Sequence, residues 1–123
     1  MSKFASQGFL DAGYNLFKNA AGNVTQTLCS AQPAVFVDIA SYKLASVVLN
    51  KATDLTLAAG DTSGRKMTIA AKAGVAVTTS GTGNHVVIDD GTNFLVTTAP
   101  STAVAANGTV DMGSWQDEGR APQ

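Results

Sequence analysis

The sequence predicts an all-β fold, an antiparallel β-sandwich or small barrel with one N-terminal α-helix. Three observations carry this. From Leu55 onward, short runs rich in Val, Ile and Thr alternate with Gly, Asp, Asn and Ser, the pattern of strands and tight turns. The runs recur at about eight to twelve residues, the spacing of sandwiches and small barrels. Only one segment, near the N-terminus, has helical apolar spacing. A chain of 123 residues suits a single domain, 1–123, with one core. Its expected parts are a helix over 6–21, a β-sandwich over 24–115 and an extended tail over 116–123.

The helix rests on Leu10, Tyr14, Phe17 and Ala21, which share one face. Ser6 is placed to cap its first turn, and Gly22 to end it in a left-handed conformation. Phe4, Phe9 and Leu16 lie off the stripe. The helix is thus apolar on two sides, either to pack on both its own sheet and a partner or to cover one open end of the sandwich.

Val24–Ser30 reads as the first strand, broken by Ala31-Gln32-Pro33 because proline cannot donate to a ladder. Val35–Ala40 reads as a strand or as part of a loop, and Ser41–Leu44 as one helical turn. Ala45–Asn50, Leu55–Ala59, Arg65–Lys72, Val75–Ser80, His85–Asp89, Phe94–Ala99 and Thr109–Trp115 complete the strands, with Thr102–Ala106 as a weak edge strand. Gly60–Gly64 reads as a turn. Asp89-Asp90-Gly91-Thr92-Asn93 holds the Asp-Gly hairpin signal. Ser80-Gly81-Thr82-Gly83-Asn84 reads as a further turn, its glycines permitting positive φ. The tail after Trp115 is expected to be extended or to reach onto a neighbour.

Charge excludes several functions. Net charge is −1 and charged residues make up 14% of the chain, against roughly 25% in an average domain. Nucleic-acid binders draw affinity from Lys and Arg on phosphates, so no nucleic acid is expected as partner. No apolar stretch approaches the roughly 18 residues of a membrane span, and no signal-peptide pattern is present. No membrane partner is expected, and synthesis is expected in the cytoplasm. Between Lys72 and Asp111 the only charges are Asp89 and Asp90. Edge strands that stand alone normally carry blocking charges, so these strands are either covered in an assembly or present a hydrated Thr-rich face. Thr78 and Thr97 are the outward positions expected at such an interface.

Candidate chemistry is sparse. His85 is the only histidine and Cys29 the only cysteine. A lone His builds no zinc site, and a lone Cys in an apolar run reads as a buried, inert thiol. Ser80, His85 and Asp89 form a triad only on paper, with no nucleophile elbow. Gly60–Lys66 lacks the P-loop spacing. Asp89 and Asp90 fall short of the roughly six to eight oxygens that calcium takes. No catalytic residue, cofactor or metal is expected. Arg65 and Lys66 alternate in direction on a strand, so they form no joint patch. His85 reads as a local hydrogen-bonding or intersubunit residue, and Trp115 as closing the core or sitting at an interface.

The stretches LDAGYNLFKNA (10–20), LCSAQP (28–33), SYKLA (41–45), GDTSGRKMTIAAK (60–72), TSGTGNHVVIDDG (79–91), LVTT (95–98) and Trp115-Gln116-Asp117-Glu118 run through most of the chain. In these the chain resembles small tailed-bacteriophage virion proteins encoded among head genes, described as capsid decoration (cement) or minor head proteins. The resemblance implies a virion location and no enzymatic activity. It implies the major capsid protein as partner, and association with itself as a homotrimer. The alternative is a neck, tail or fibre-base component with an adhesion role. Phe9, Thr78, His85, Thr97 and Trp115 are the expected interface residues.

Overall fold

The computed structural model describes residues 7–61 and 64–119, with side chains described over 11–61 and 64–117. The fold is mostly β. Helix α1 (Gln7–Lys18) leads into strand β1 (Val24–Cys29), a short helix α2 (Asp38–Tyr42) and β2 (Lys43–Leu49). Then follow β3 (Leu55–Ala59), β4 (Arg65–Ile69), β5 (Lys72–Ala76), β6 (Gly81–Asp89), β7 (Phe94–Val104), β8 (Thr109–Met112) and β9 (Trp115–Gly119). They form three sheets: β2-β1-β6-β7, β3-β4-β9 and β5-β8. Every pairing is antiparallel. A bridge between Ala45 and Val77, with Thr78 N–H donating to Leu44 O at 2.8 Å, joins the first sheet to the third.

Alternation on β1 explains the core. Val24, Gln26 and Leu28 face one way, Thr25, Thr27 and Cys29 the other. Val24 joins Tyr14, Phe17, Leu49, Leu55, Met67, Ile69 and Ile88 in one buried cluster, which packs α1 and β3–β4 on the four-stranded sheet. Leu28 joins Ala45, Val75, Val77, Val86 and Met112, which packs β5–β8 beside it. Trp115 touches both clusters. On the opposite face Cys29 and Val87 are covered by Ile39 of α2. The central strand is therefore buried on both sides. Gln26, fully buried, donates to Met112 Sδ at 3.0 Å and accepts from Trp115 Nε1 at 3.4 Å.

Several expectations are corrected. The helix ends at Lys18, not residue 21, and Gly22 is not among the positive-φ residues. The carbonyls after α1 are satisfied instead by Lys51, whose Nζ donates to Ala20 O at 2.6 Å and Gly22 O at 2.8 Å. Ser6 and Phe4 lie outside the described residues, as do the side chains of Phe9 and Leu10. Of the two readings of 35–40, the strand is absent and the loop holds for Val35–Val37, which lie in a turn that enters α2; residues 38–40 are helical. The expected strand over Arg65–Lys72 breaks into β4 and β5, which belong to different sheets. Thr102–Val104 are not a separate edge strand but the end of β7.

Residues 81–84 are strand, not turn, and pair with the end of β7. Their glycines serve close approach: a Cβ on Gly83 would lie 2.5 Å from Leu28 Cγ. The chain after Trp115 does not leave the body as far as Gly119, because β9 pairs with β4 from Trp115↔Ile69 to Gly119↔Arg65. Residues 120–123 lie outside the described residues. The Asp89–Asn93 hairpin is as expected, with Asp90 N–H donating to Asn93 O at 3.1 Å and Gly91 at φ 98°. The Gly60–Gly64 turn closes with a 2.9 Å backbone bond, although Thr62 and Ser63 lie outside the described residues.

Asp54, buried in the β2–β3 turn, accepts from Asn50 N–H at 2.7 Å and pairs with Lys72 Nζ at 2.7 Å. Burial pushes its carboxyl up, but the Lys72 and Asn50 hydrogen bonds and the Lys72 charge together hold it below the ordinary value. A depressed folded pKa gives stability that is present above the unfolded value, about 4, and is lost as pH falls through the folded value. Thermal melts taken from about pH 7 to about pH 2 should show this acid loss, and Asp54→Asn should flatten it. An acid limb unchanged by the substitution would assign the loss to other carboxylates.

Candidate interaction surface

The residues expected to carry chemistry are not brought together. Ser80 Oγ accepts from Ala106 N–H at 2.9 Å. His85 Nδ1 lies 2.6 Å from Asn84 Oδ1. His85 and Asp89 point the same way on β6 but are about 13 Å apart along the strand, too far for a hydrogen bond. Asp89 accepts from Gly91 N–H at 3.1 Å. Its carboxyl is raised by burial and by the charge of Asp90, against the Gly91 hydrogen bond. Asp90 binds its own turn, accepting from Thr92 and Asn93 amides at 2.9 and 2.7 Å. Among the described residues no group of His, Cys, Asp or Glu is arranged to hold a metal ion.

Cys29 is fully buried, and burial pushes its thiol up to about 11. At neutral pH the thiolate is scarce, so the thiol is a poor nucleophile. Among the described residues no buried side-chain nitrogen or oxygen lacks a hydrogen-bond partner. No fully occluded polar group of these residues is therefore left spare for a ligand. Arg65 and Lys66 diverge as strand neighbours must: Arg65 Nε meets Asp11 Oδ1 at 2.9 Å, and Lys66 Nζ meets Asp61 Oδ1 at 2.7 Å. No described helix is long and apolar enough to cross a membrane.

The described surface includes two apolar openings and one long bare edge. On the outer face of the four-stranded sheet, Thr25, Thr27, Ser46, Asp89 and Lys43 border a cleft of about 430 Å³ closed at one side by Phe36, Val37 and Ile39. On the other face, two adjoining clefts of about 280 and 150 Å³ open between β7 and the β8–β9 connection. They share Val86, Ala99, Pro100 and Gly113. Between the two faces runs β7, at the edge of its sheet and, with 11 residues, the longest described strand. Its sequence, FLVTTAPSTAV, has no charged side chain.

The expected interface residues scatter across these features. Thr78 is exposed, its hydroxyl donating to Leu44 O at 3.2 Å. Thr97 is not outward-facing: it pairs with buried Val86, shares its side of the sheet and lines the 150 Å³ cleft with Trp115. Its neighbour Thr98, paired with His85, is the exposed one. His85 is half-buried. Trp115 packs against the core. The side chain of Phe9 lies outside the described residues.

The residues that sequence reading missed are Val35, Phe36 and Val37, which stand 54%, 37% and 71% exposed. The apolar run itself is visible in the sequence, but nothing local marks it as exposed. Comparisons with protein-family models, with curated proteins and with solved structures find no match.

Proposed function

We propose that this chain is a virion structural protein, a β-sandwich that decorates the capsid shell of a tailed bacteriophage and stabilises it through repeated protein–protein contacts. The observation that carries the protein-binding part is β7, a long, uncharged strand at a sheet edge. Natural edges are blunted with Lys, inward charges, bulges or Pro, because a bare edge templates pairing with other chains. Among the described residues Pro100 and the irregular pairing beside it are the only such devices. An edge covered in an assembly needs no more. The phage setting comes from the sequence resemblance.

In this reading the four-stranded sheet is one layer of the sandwich and the two smaller sheets are the other. The partners are the major capsid protein and sister copies in a homotrimer, a cyclic arrangement with a closed interface. Each contact is weak, and many copies on one shell act together through multivalency. The protein carries out no reaction and takes no cofactor or metal. It binds neither nucleic acid nor membrane, and it passes from the host cytoplasm into the virion.

The test is binding of purified protein to shells stripped of it. Thr98→Lys with Ser101→Lys places two charges on exposed positions of β7, so circular dichroism should stay native. Burying those charges in an interface is costly. The variant should fail to decorate shells, and shells without it should break at lower temperature. A folded variant that decorates normally would refute the role of β7. Wild-type protein that ignores shells but binds tail particles or cells would replace decoration with the neck, tail or fibre-base role.

A further inference from the structure

We propose that the cleft on the outer face of the four-stranded sheet is a binding site for a short neutral saccharide. Its floor is built by alternation. Thr25 and Thr27 of β1 point to this face, and the register places Ser46 of β2 beside Thr27 and Asp89 of β6 beside Thr25. Neighbours across strands lie about 5 Å apart and the two threonines about 7 Å apart, so four polar side chains form one close group. The wall is the apolar ridge that leads into α2. Asp38 holds it by accepting from the Ala34 and Val35 amides at 3.2 and 3.4 Å, and Ile39 anchors it on Cys29 and Val87. Phe36, 37% exposed, is the aromatic part of that wall.

The decisive residue is Thr27. It is 2% exposed, and its hydroxyl has no hydrogen-bond partner among the described residues. No fully occluded oxygen of these residues is without a partner. The sliver of Thr27 that solvent reaches is therefore its hydroxyl, and it opens into the cleft that Thr27 lines. A buried polar group without a partner is costly, and valine, of the same shape, would fill this strand position without that cost. The hydroxyl is set to bond something that enters the cleft. The Thr25 and Ser46 hydroxyls are also unpartnered among the described residues. Asp89 uses Oδ2 on the Gly91 amide at 3.1 Å, which leaves Oδ1 to accept. Lys43, exposed at the opposite corner, enters no ion pair with a described residue.

These groups select the ligand. The hydroxyls both donate and accept, Asp89 accepts and Lys43 donates. An occupant must answer with several donors and acceptors set close together, which an apolar molecule lacks and a sugar ring carries. Strand addition by a peptide is closed here, because the floor is a sheet face whose strand β1 is paired on both sides. Charge disfavours anions such as phosphate, since Asp89, its neighbour Asp90 and Asp38 at the wall outnumber Lys43. A simple ammonium ion would answer the acceptors but leave Lys43 and the apolar wall unused. The C–H face of a pyranose suits the negative face of the Phe36 ring. At about 430 Å³ the cleft falls within the roughly 300–1,000 Å³ of small-molecule sites, room for a mono- or disaccharide. The site needs neither a shell nor sister copies, so it stands independently of the proposed function.

Titration of the isotopically labelled full chain, followed by amide chemical shifts, tests it. The probes are maltose, cellobiose, lactose and N,N′-diacetylchitobiose, with inorganic phosphate and spermidine as the charged alternatives. At least one disaccharide should bind in the millimolar range and shift the amides of Thr25, Thr27, Ser46 and Asp89. Thr27→Val should melt at or above the wild-type temperature, because the hydroxyl it removes bonds nothing in the described chain, yet weaken that sugar about tenfold. Phe36→Ala, at an exposed position, should weaken it as well and keep the native spectrum. No shift with any of the disaccharides, shifts confined to phosphate or spermidine, sugar shifts that fall outside the cleft, or binding unchanged in Thr27→Val would overturn the proposal. So would a Thr27→Val protein that melts below wild type, since its hydroxyl would then serve the fold. Sugar binding by a chain that ignores shells would sink decoration and leave this site standing; shell binding without sugar binding would do the reverse.

Discussion

Gly83→Val is expected to abolish cooperative folding, and Gly83→Ala to lower the melting temperature sharply. Gly83 opens the middle of β6 directly over Leu28. A Cβ at this position would lie 2.5, 2.6 and 2.7 Å from Leu28 Cγ, Cδ1 and Cδ2. The clash is with the branch point of a side chain that is 4% exposed and packed with Ala45, Val86 and Met112. To relieve the clash the whole branched end of Leu28 must shift toward the cleft of about 280 Å³ that it lines. Overpacking a filled core costs about 1–3 kcal/mol for small additions and sometimes more. Valine adds two further methyl groups at the same point. Against a total stability of about 5–15 kcal/mol, alanine leaves a weakened fold and valine leaves little. A double-mutant cycle separates this clash from a loss of backbone freedom. Leu28→Ala alone opens a cavity and should cost about 2–5 kcal/mol. Combined with Gly83→Ala, the new methyl group occupies space that leucine vacated, so the two costs should sum to less than their parts. Additive costs in urea unfolding would mean that Gly83 and Leu28 do not share that space.

The same glycine shows how far the sequence could be read. Gly81 and Gly83 signal either a left-handed turn or a close approach, and only the distant positions of Leu44 and Leu28, which they respectively approach, decide between them. Local signals read well where the physics is local. The Asp-Gly hairpin, the Gly60–Gly64 turn, the bounds of β3 and the Tyr14–Phe17 stripe all follow from residues within one turn or strand. β9 was hidden because Trp115–Gly119 carries little alternation of its own; its pairing with β4 is supplied from the middle of the chain. The facing of Thr97 was hidden for a similar reason. Along β7, Phe94, Val96 and Thr98 lie on one side and Leu95, Thr97 and Ala99 on the other. Both sets mix apolar residues with threonine, so parity alone names no inner face. The exposed ridge at Val35–Val37 was out of reach for a third reason. Exposure of an apolar run is a property of what the rest of the fold fails to cover, which no local pattern records. The bare edge of β7 was legible in part, as a span free of charge, but its place at the end of a sheet was not.

Phe17→Ala should cost about 3–5 kcal/mol, a loss comparable to the whole stability of a marginal domain. Phe17 is 5% exposed and sits with Tyr14 in the cluster of Leu55, Met67, Ile69 and Ile88, the largest among the described residues. α1 is also held by polar ties. Arg65 Nε pairs with Asp11 at 2.9 Å, and the Tyr14 hydroxyl reaches the Asp117 carboxylate at 2.9 Å and its carbonyl at 3.0 Å. A hydrogen bond contributes about 1 kcal/mol net, and an ion pair open to some solvent contributes about as little. The aromatic ring therefore dominates the docking of the helix. Leu16, one residue away on the same helix, is 50% exposed, and Leu16→Ala should change stability by less than about 0.5 kcal/mol. The contrast between neighbours matters more than either value. It assigns the Tyr14–Phe17 side of α1 to this chain's own core and leaves Leu16, which lies off that stripe, open to another molecule. Urea unfolding of the two variants, with unchanged m-values as the sign of an unchanged two-state transition, measures both. Equal costs for Leu16→Ala and Phe17→Ala would mean that α1 is covered on both sides in solution, which would place an undetected partner on the helix rather than on β7.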